Sequence, residues 1–214
     1  LTAAALIEGR LPFWDPYILL GVPPAANPQA VLFYPPALLG AVLPIASALT
    51  WDQILHILWA GLGVFLLARS QRLDRVGAAV LASAYALSPF LIYRVTAGIP
   101  TLLDALSWVP WLWLAWLSGV PGLLAACWAL QLFSGHAQFL LVNIVAMALW
   151  SVCRDGRRAL LTRMAKEGVG ALVLTAVQWL PTAQYLHLSV RSDWGGALSG
   201  AYALPRGALW TWLS

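Results

Sequence analysis

The chain has 214 residues, 61% hydrophobic and 9% charged, with a mean hydropathy of +0.79. A soluble domain carries roughly 25% charged residues, so this chain has too few to cover a surface facing water. Its net charge of +4 is spread between apolar runs instead of clustered on one polar face, which argues against a nucleic-acid partner.

Long apolar runs without an amphipathic stripe point to a bundle of helices in a lipid bilayer. The fold class expected is all-α, a polytopic transmembrane bundle forming a single domain over 1–214. Cys127 lies inside an apolar run and Cys153 at the end of one, so neither a disulfide nor a metal-ligand framework is expected. Leu1 to Ile7 is too short for a signal peptide and lacks its basic flank, and both ends read as cut from a longer protein.

In chain order, residues 8–36 come first, with seven prolines. Proline forbids a continuous helix, so this stretch reads as an ordered, aromatic-rich extracytoplasmic loop. Residues 37–47 suit a short interfacial helix. A bilayer core about 30 Å thick needs about 20 helical residues, and spans are expected at about 51–69, 76–96, 101–118, 121–134, 137–153 and 168–186. As one helix, 121–153 would run about 50 Å at 1.5 Å per residue, too long for a single crossing. Ser134-Gly135-His136 divides it. The outer segment 187–214 closes the chain.

Charge supports that division. With two spans in 121–153, the positive-inside rule places Arg69, Arg72, Arg75, Arg154, Arg157, Arg158, Arg163 and Lys166 in the cytoplasm, eight of the twelve Lys and Arg. A single span would put the densest basic stretch outside. Trp51, Trp108 and Trp111 then fit an interfacial aromatic belt.

The outer side and outer helix ends gather Glu8, Arg10, Asp15, Asn27, Gln29, Tyr34, Asp52, His56, Arg94, Asp104, His136, Gln138, Gln184, His187, Arg191 and Asp193. Ionisable groups near membrane depth cost several kcal/mol unless paired or hydrated, so they are functional candidates. Asp52 and His56 share one helix face and suit either a ligand-binding or proton-coupled pair, or a buried lock between helices. Arg94 suits a phosphate clamp or snorkelling to headgroups. His136 and Gln138 sit at a helix break that lines a cavity or only satisfies its own backbone. Asp104 suits a helix N-terminus, and Asp15, between Trp14 and Pro16, suits a turn.

Leu11-Pro12-Phe13-Trp14-Asp15-Pro16-Tyr17, Asn27-Pro28-Gln29 and Phe33-Tyr34-Pro35-Pro36, followed by Leu55-His56, Trp108-Val109-Pro110-Trp111, Gly135-His136-Ala137-Gln138 and Gln178-Trp179-Leu180-Pro181, form an ordered series. This series resembles the bacterial YfhO-like membrane proteins, which are similar to the GT-C glycosyltransferases. The resemblance implies transfer of a sugar from a polyprenyl-phosphate carrier to a cell-envelope glycopolymer, lipid or protein acceptor. The reaction would run at the extracytoplasmic face of the bacterial cytoplasmic (inner) membrane. A carboxylate would act as general base and a cation would stabilise the leaving phosphate, a role a divalent metal sometimes fills.

Asp15 is taken as the catalytic candidate, and Asn27, Gln29, Tyr34, Arg94, His136 and Gln138 as the substrate-binding candidates; no metal ligand is assigned. The family usually has Asn at the position of Asp15, often has Glu near Gln184, and is expected to carry a further carboxylate upstream of Leu1. Rival readings are a transporter or flippase for a lipid-linked or polar envelope precursor, and a structural partner in envelope assembly. Transporters often show paired repeats with broken helices at midplane depth. The gathering of polar groups at one face favours a one-sided enzyme site.

Overall fold

The computed structural model describes residue 9 and residues 14–17, 20–154 and 156–188. Glu8, Arg10, Leu11 to Phe13, Arg191, Asp193, Arg206 and the outer segment beyond 188 lie outside the described residues. Within them the fold is all-helical, and the only bridge pairs Asp15 with Val22.

In the described part of the Pro-rich segment, residues from Pro24 onward pack inward in part, whereas Trp14, Tyr17 and Leu20 are exposed. Three short 3-10 turns, Pro24–Ala26, Pro28–Ala30 and Pro35–Leu38, each start on a proline, whose fixed φ and missing N–H suit a first helical position. Ala25, Ala26, Leu32 and Tyr34 are buried. The expected helix over 37–47 is instead divided. A single turn, α1 (Leu39–Val42), ends at Leu43-Pro44, and residues from 45 onward belong to the first long helix.

That helix, α2 (Ile45–Ser70), starts six residues earlier than the apolar run suggested, because Pro44 can precede a helix but not sit inside one. A tight turn through Arg72 leads to α3 (Arg75–Ala86), capped by the Asp74 carboxylate, which accepts from Gly77 N–H at 3.1 Å. Pro89 interrupts the ladder, and Ser88 caps the continuation α4 (Pro89–Thr96). The expected span 101–118 is two helices, α5 (Pro100–Ser107) and α6 (Val109–Ser118), which meet at Trp108 before Pro110. The expected break at 134–136 is present between α7 (Leu123–Phe133) and α8 (Ala137–Val152).

The basic stretch after it differs from expectation. Residues 157–166 are not a loop but the first half of α9 (Arg157–Leu174), followed after Thr175 by α10 (Ala176–Leu188). Arg, Ala, Leu, Met, Lys and Glu are all good helix formers, and charge ends an apolar run without ending a helix.

Among the described residues, two helical stretches, Ile45–Ser70 and Arg75–Thr96, are long and apolar enough to cross a membrane. Only 22% and 17% of their most apolar stretches are buried, whereas a core helix of a soluble protein would be mostly buried. Leu55, Leu58, Leu62, Val76, Val80 and Leu81 point outward. A continuous apolar outer surface of this kind suits hydrocarbon better than water.

Small residues let α2 and α3 approach closely. Ala60 and Ala78 are fully buried, and a Cβ on Gly61 would lie 3.3 Å from that of Ala86. Trp111 fills the notch at Gly63 and donates its indole N–H to Trp59 O at 3.0 Å. The main core gathers Tyr34, Leu112, Trp116, Leu124, Trp128 and Met147 between α6, α7, α8 and α9. Trp108 is also buried there. Trp108 is therefore a core residue and Trp111 packs partly buried against that core, while Trp51 is half exposed.

Candidate functional site

The site is assembled around Tyr34. Asn27 caps the second 3-10 turn by accepting from Gln29 N–H at 3.1 Å, and Val31 follows in the left-handed region at φ 47°. This reversal drives the next residues inward, and Tyr34 ends 1% exposed. Trp108 Nε1 donates to Tyr34 Oη at 2.8 Å. The same hydroxyl lies 2.6 Å from His56 Nε2. Burial, reinforced by the Asp104 charge, pushes the Tyr34 pKa upward and keeps the O–H bond intact.

The tautomer of His56 follows. Asp52 O can only accept, so Nδ1 carries a hydrogen and donates to it at 2.7 Å, and in the neutral ring Nε2 accepts from Tyr34 Oη. The same nitrogen lies 3.3 Å from Asp52 Oδ1 and 3.4 Å from Asp104 Oδ1. Asp52 and His56 are one turn apart on α2, while α5 brings Asp104 across to them. His56 and Asp104 are buried and Asp52 is only slightly open. Asp104 does not stand in the first turn of its helix, so a dipole role does not explain it.

The two carboxylates form part of the wall of a cavity of about 310 Å3. Tyr34 and Thr101 supply its other polar groups, and the remainder is apolar, including Val31, Leu32, Ala37, Leu39, Ile45 and Leu49. A second cavity, about 410 Å3, lies between Pro23, Ala25, Ala26, Phe33 and the first half of α10, and carries no ionisable side chain.

Thr101 links the cavity to the 134–136 turn. Gln138 Nε2 donates to His136 Nδ1 at 3.1 Å, which leaves Nε2–H to donate to Thr101 Oγ1 at 2.9 Å. Burial holds the His136 pKa below its ordinary value of 6.5, opposed by the Gln138 hydrogen bond. The turn also packs on the Pro-rich segment. A Cβ on Gly135 would come within 3.1 Å of Pro28 O and 3.3 Å of Gln29 Cα.

Of the residues singled out from sequence, Tyr34 enters the cluster, and His136 and Gln138 pair beside it. Asn27 and Gln29 stand on the turn packed against Gly135, both exposed, with Asn27 occupied as a cap. None of these four lines the cavity. Asp15 is buried but committed to a turn: its carboxylate accepts from Tyr17 N–H at 2.9 Å and its backbone pairs with Val22. Arg94 lies with its guanidinium carbon 4.6 Å over the Phe90 ring of its own helix, away from the cavity lining. Neither Asp15 nor Arg94 is brought to the cluster. Sequence reasoning missed that Asp104 closes on His56 and that Trp108 orients Tyr34. The available signal was that these residues share one end of their helices.

Comparison of the chain with protein-family models, curated proteins and solved structures finds no match.

Proposed function

We propose that the chain forms the site-bearing part of a multi-pass inner-membrane glycosyltransferase that moves a sugar from a polyprenyl-phosphate carrier to an envelope acceptor at the extracytoplasmic face. On this reading the shorter apolar helices from α5 onward also cross the bilayer, giving about six crossings. The observation that carries the reading is a mainly apolar cavity with Asp52, Asp104, Tyr34 and Thr101 grouped in its wall. The apolar lining suits a prenyl chain and the acidic group suits a sugar hydroxyl.

Asp52 is the more open of the two carboxylates and serves as the general base that takes the acceptor proton. His56, held by Tyr34, fixes the position of Asp52. The break at His136, with Gln138 and Thr101, supplies polar contacts beside the cavity for the sugar. Asp15 and Arg94 are left out of the reacting site because the first is tied to its turn and the second to the Phe90 ring.

The test is sugar transfer by the intact protein in proteoliposomes supplied with polyprenyl-phosphate-linked sugar. A positioned base contributes roughly 100- to 10,000-fold, so Asp52→Asn should lose at least about 100-fold in turnover while retaining its melting temperature. Full turnover in a folded Asp52→Asn protein would remove the base assignment. Movement of the lipid-linked sugar across the bilayer without a covalent product would replace the transferase with a flippase.

A further inference from the structure

Asp52 and Asp104 bring two carboxylates to one buried point. Among the described residues, the only basic side chain in ion-pair range of either is His56. Asp104 Oδ1 is buried without a hydrogen-bond donor. The 3.4 Å approach of His56 Nδ1 does not supply one, because its single hydrogen is directed to Asp52 O. A buried carboxylate oxygen left in this state is costly, and Asp104 is among the residues that line the cavity.

We propose that Asp52, His56 and Asp104 bind one divalent cation of the zinc or manganese class. One donor atom from each residue lies within 4.8 Å of the others. A tetrahedral ion with bonds of about 2.1 Å has donor–donor edges of about 3.4 Å. The two nitrogen–carboxylate separations, 3.3 and 3.4 Å, already match that edge, and side-chain rotation sets the remaining one. An imidazole with two carboxylates is a suitable donor set for these ions. Their double charge balances the two carboxylates when both are ionised. The cavity side leaves a coordination position open.

The surrounding hydrogen bonds suit the exchange. To ligate through Nδ1, His56 remains neutral and moves its hydrogen to Nε2. Tyr34 Oη stands 2.6 Å from that nitrogen and can then accept from it while still accepting from Trp108. A metal-bound histidine commonly donates its second N–H to such a partner, which fixes the ring.

Asp52 would ligate through one carboxylate oxygen and take the acceptor proton with the other; the test reads binding, so it stands apart from sugar transfer. The intact protein in detergent is stripped with a chelator, then titrated with Mn2+ followed by loss of the free-ion EPR signal, and with Zn2+ by calorimetry. One ion per chain is expected. Asp104→Asn and His56→Gln should each weaken binding by more than about tenfold. Tyr34→Phe, which keeps all three ligands, should weaken it by roughly tenfold. In wild-type protein with 15N-labelled histidine, Zn2+ should shift the His56 Nδ1 resonance. Absence of saturable binding, equal binding in the Asp52→Asn/Asp104→Asn double variant, or an unmoved His56 resonance would each overturn the site and leave a proton shared by the two carboxyls in its place.

Discussion

Tyr34 shows how much a single side chain decides here. Its hydroxyl is the one atom that joins the indole of Trp108 to the imidazole of His56. Replacing it with phenylalanine keeps the ring and its packing but leaves a buried donor and a buried acceptor unpaired. Each such group costs about 1–3 kcal/mol. Tyr34→Phe should therefore destabilise the protein by about 2 kcal/mol or more in a denaturant titration. A neutral result would mean that the chain through Tyr34 contributes nothing to the fold. The site was partly legible at this scale. Asp52 and His56 can be paired from their spacing, because one helical turn separates them. Asp104 cannot, since only the packing of α5 on α2 brings it there. Asp15 and Arg94 were misleading for a physical reason: a carboxylate before proline and an arginine at a helix end each have a local partner, a turn N–H and a nearby ring.

At the scale of elements, α9 has a role that its charges conceal in the sequence. Arg163 Nη1 donates to Trp116 O at 2.7 Å and Nη2 to Ala115 O at 3.1 Å, at the C-terminal end of α6. One turn later the Glu167 carboxylate accepts from Gly122 N–H at 3.0 Å and Ala125 N–H at 2.9 Å, at the start of α7. A cation meets the negative helix end and an anion the positive one, each satisfying groups that a helix terminus leaves open. The pair clamps the α6–α7 turn. Read for topology alone, Arg163 is only a positive charge; recognising the clamp requires knowing that residues 157–166 are helical and packed on α7. Glu167→Ala should cost about 2 kcal/mol from two unsatisfied amides, and Glu167→Gln less, since one amide oxygen still accepts. Equal stability of Glu167→Ala and wild type would show that the α6–α7 turn does not need this carboxylate.

For the whole molecule, the expected division into two ends follows from where charge sits relative to apolar runs. The positions of helix breaks were less legible. Pro89, Trp108 and Thr175 divide stretches that an apolar count reads as continuous. The two ends are nonetheless distinct. Asp52, Asp104, Thr101 and His136 meet at one, while Arg163 and Glu167 hold the α6–α7 turn at the other.

The chain carries its own probe of that polarity. Cys153 is exposed beside Arg154, whereas Cys127 is buried. If the basic end faces the cytoplasm, as the positive-inside rule requires, an impermeant thiol reagent should leave Cys153 unlabelled in intact cells and label it after permeabilisation. A cysteine placed at Ala97, which is exposed at the start of the turn before α5, should react in a Cys153→Ser background without permeabilisation. The charge map puts the two sites on opposite faces of the membrane, so opposite reactivities are expected. Labelling of Cys153 from outside would reverse the orientation of the bundle and move the Asp52–His56–Asp104 cluster to the cytoplasmic side, where a polyprenyl-phosphate donor presented to the exterior could not reach it.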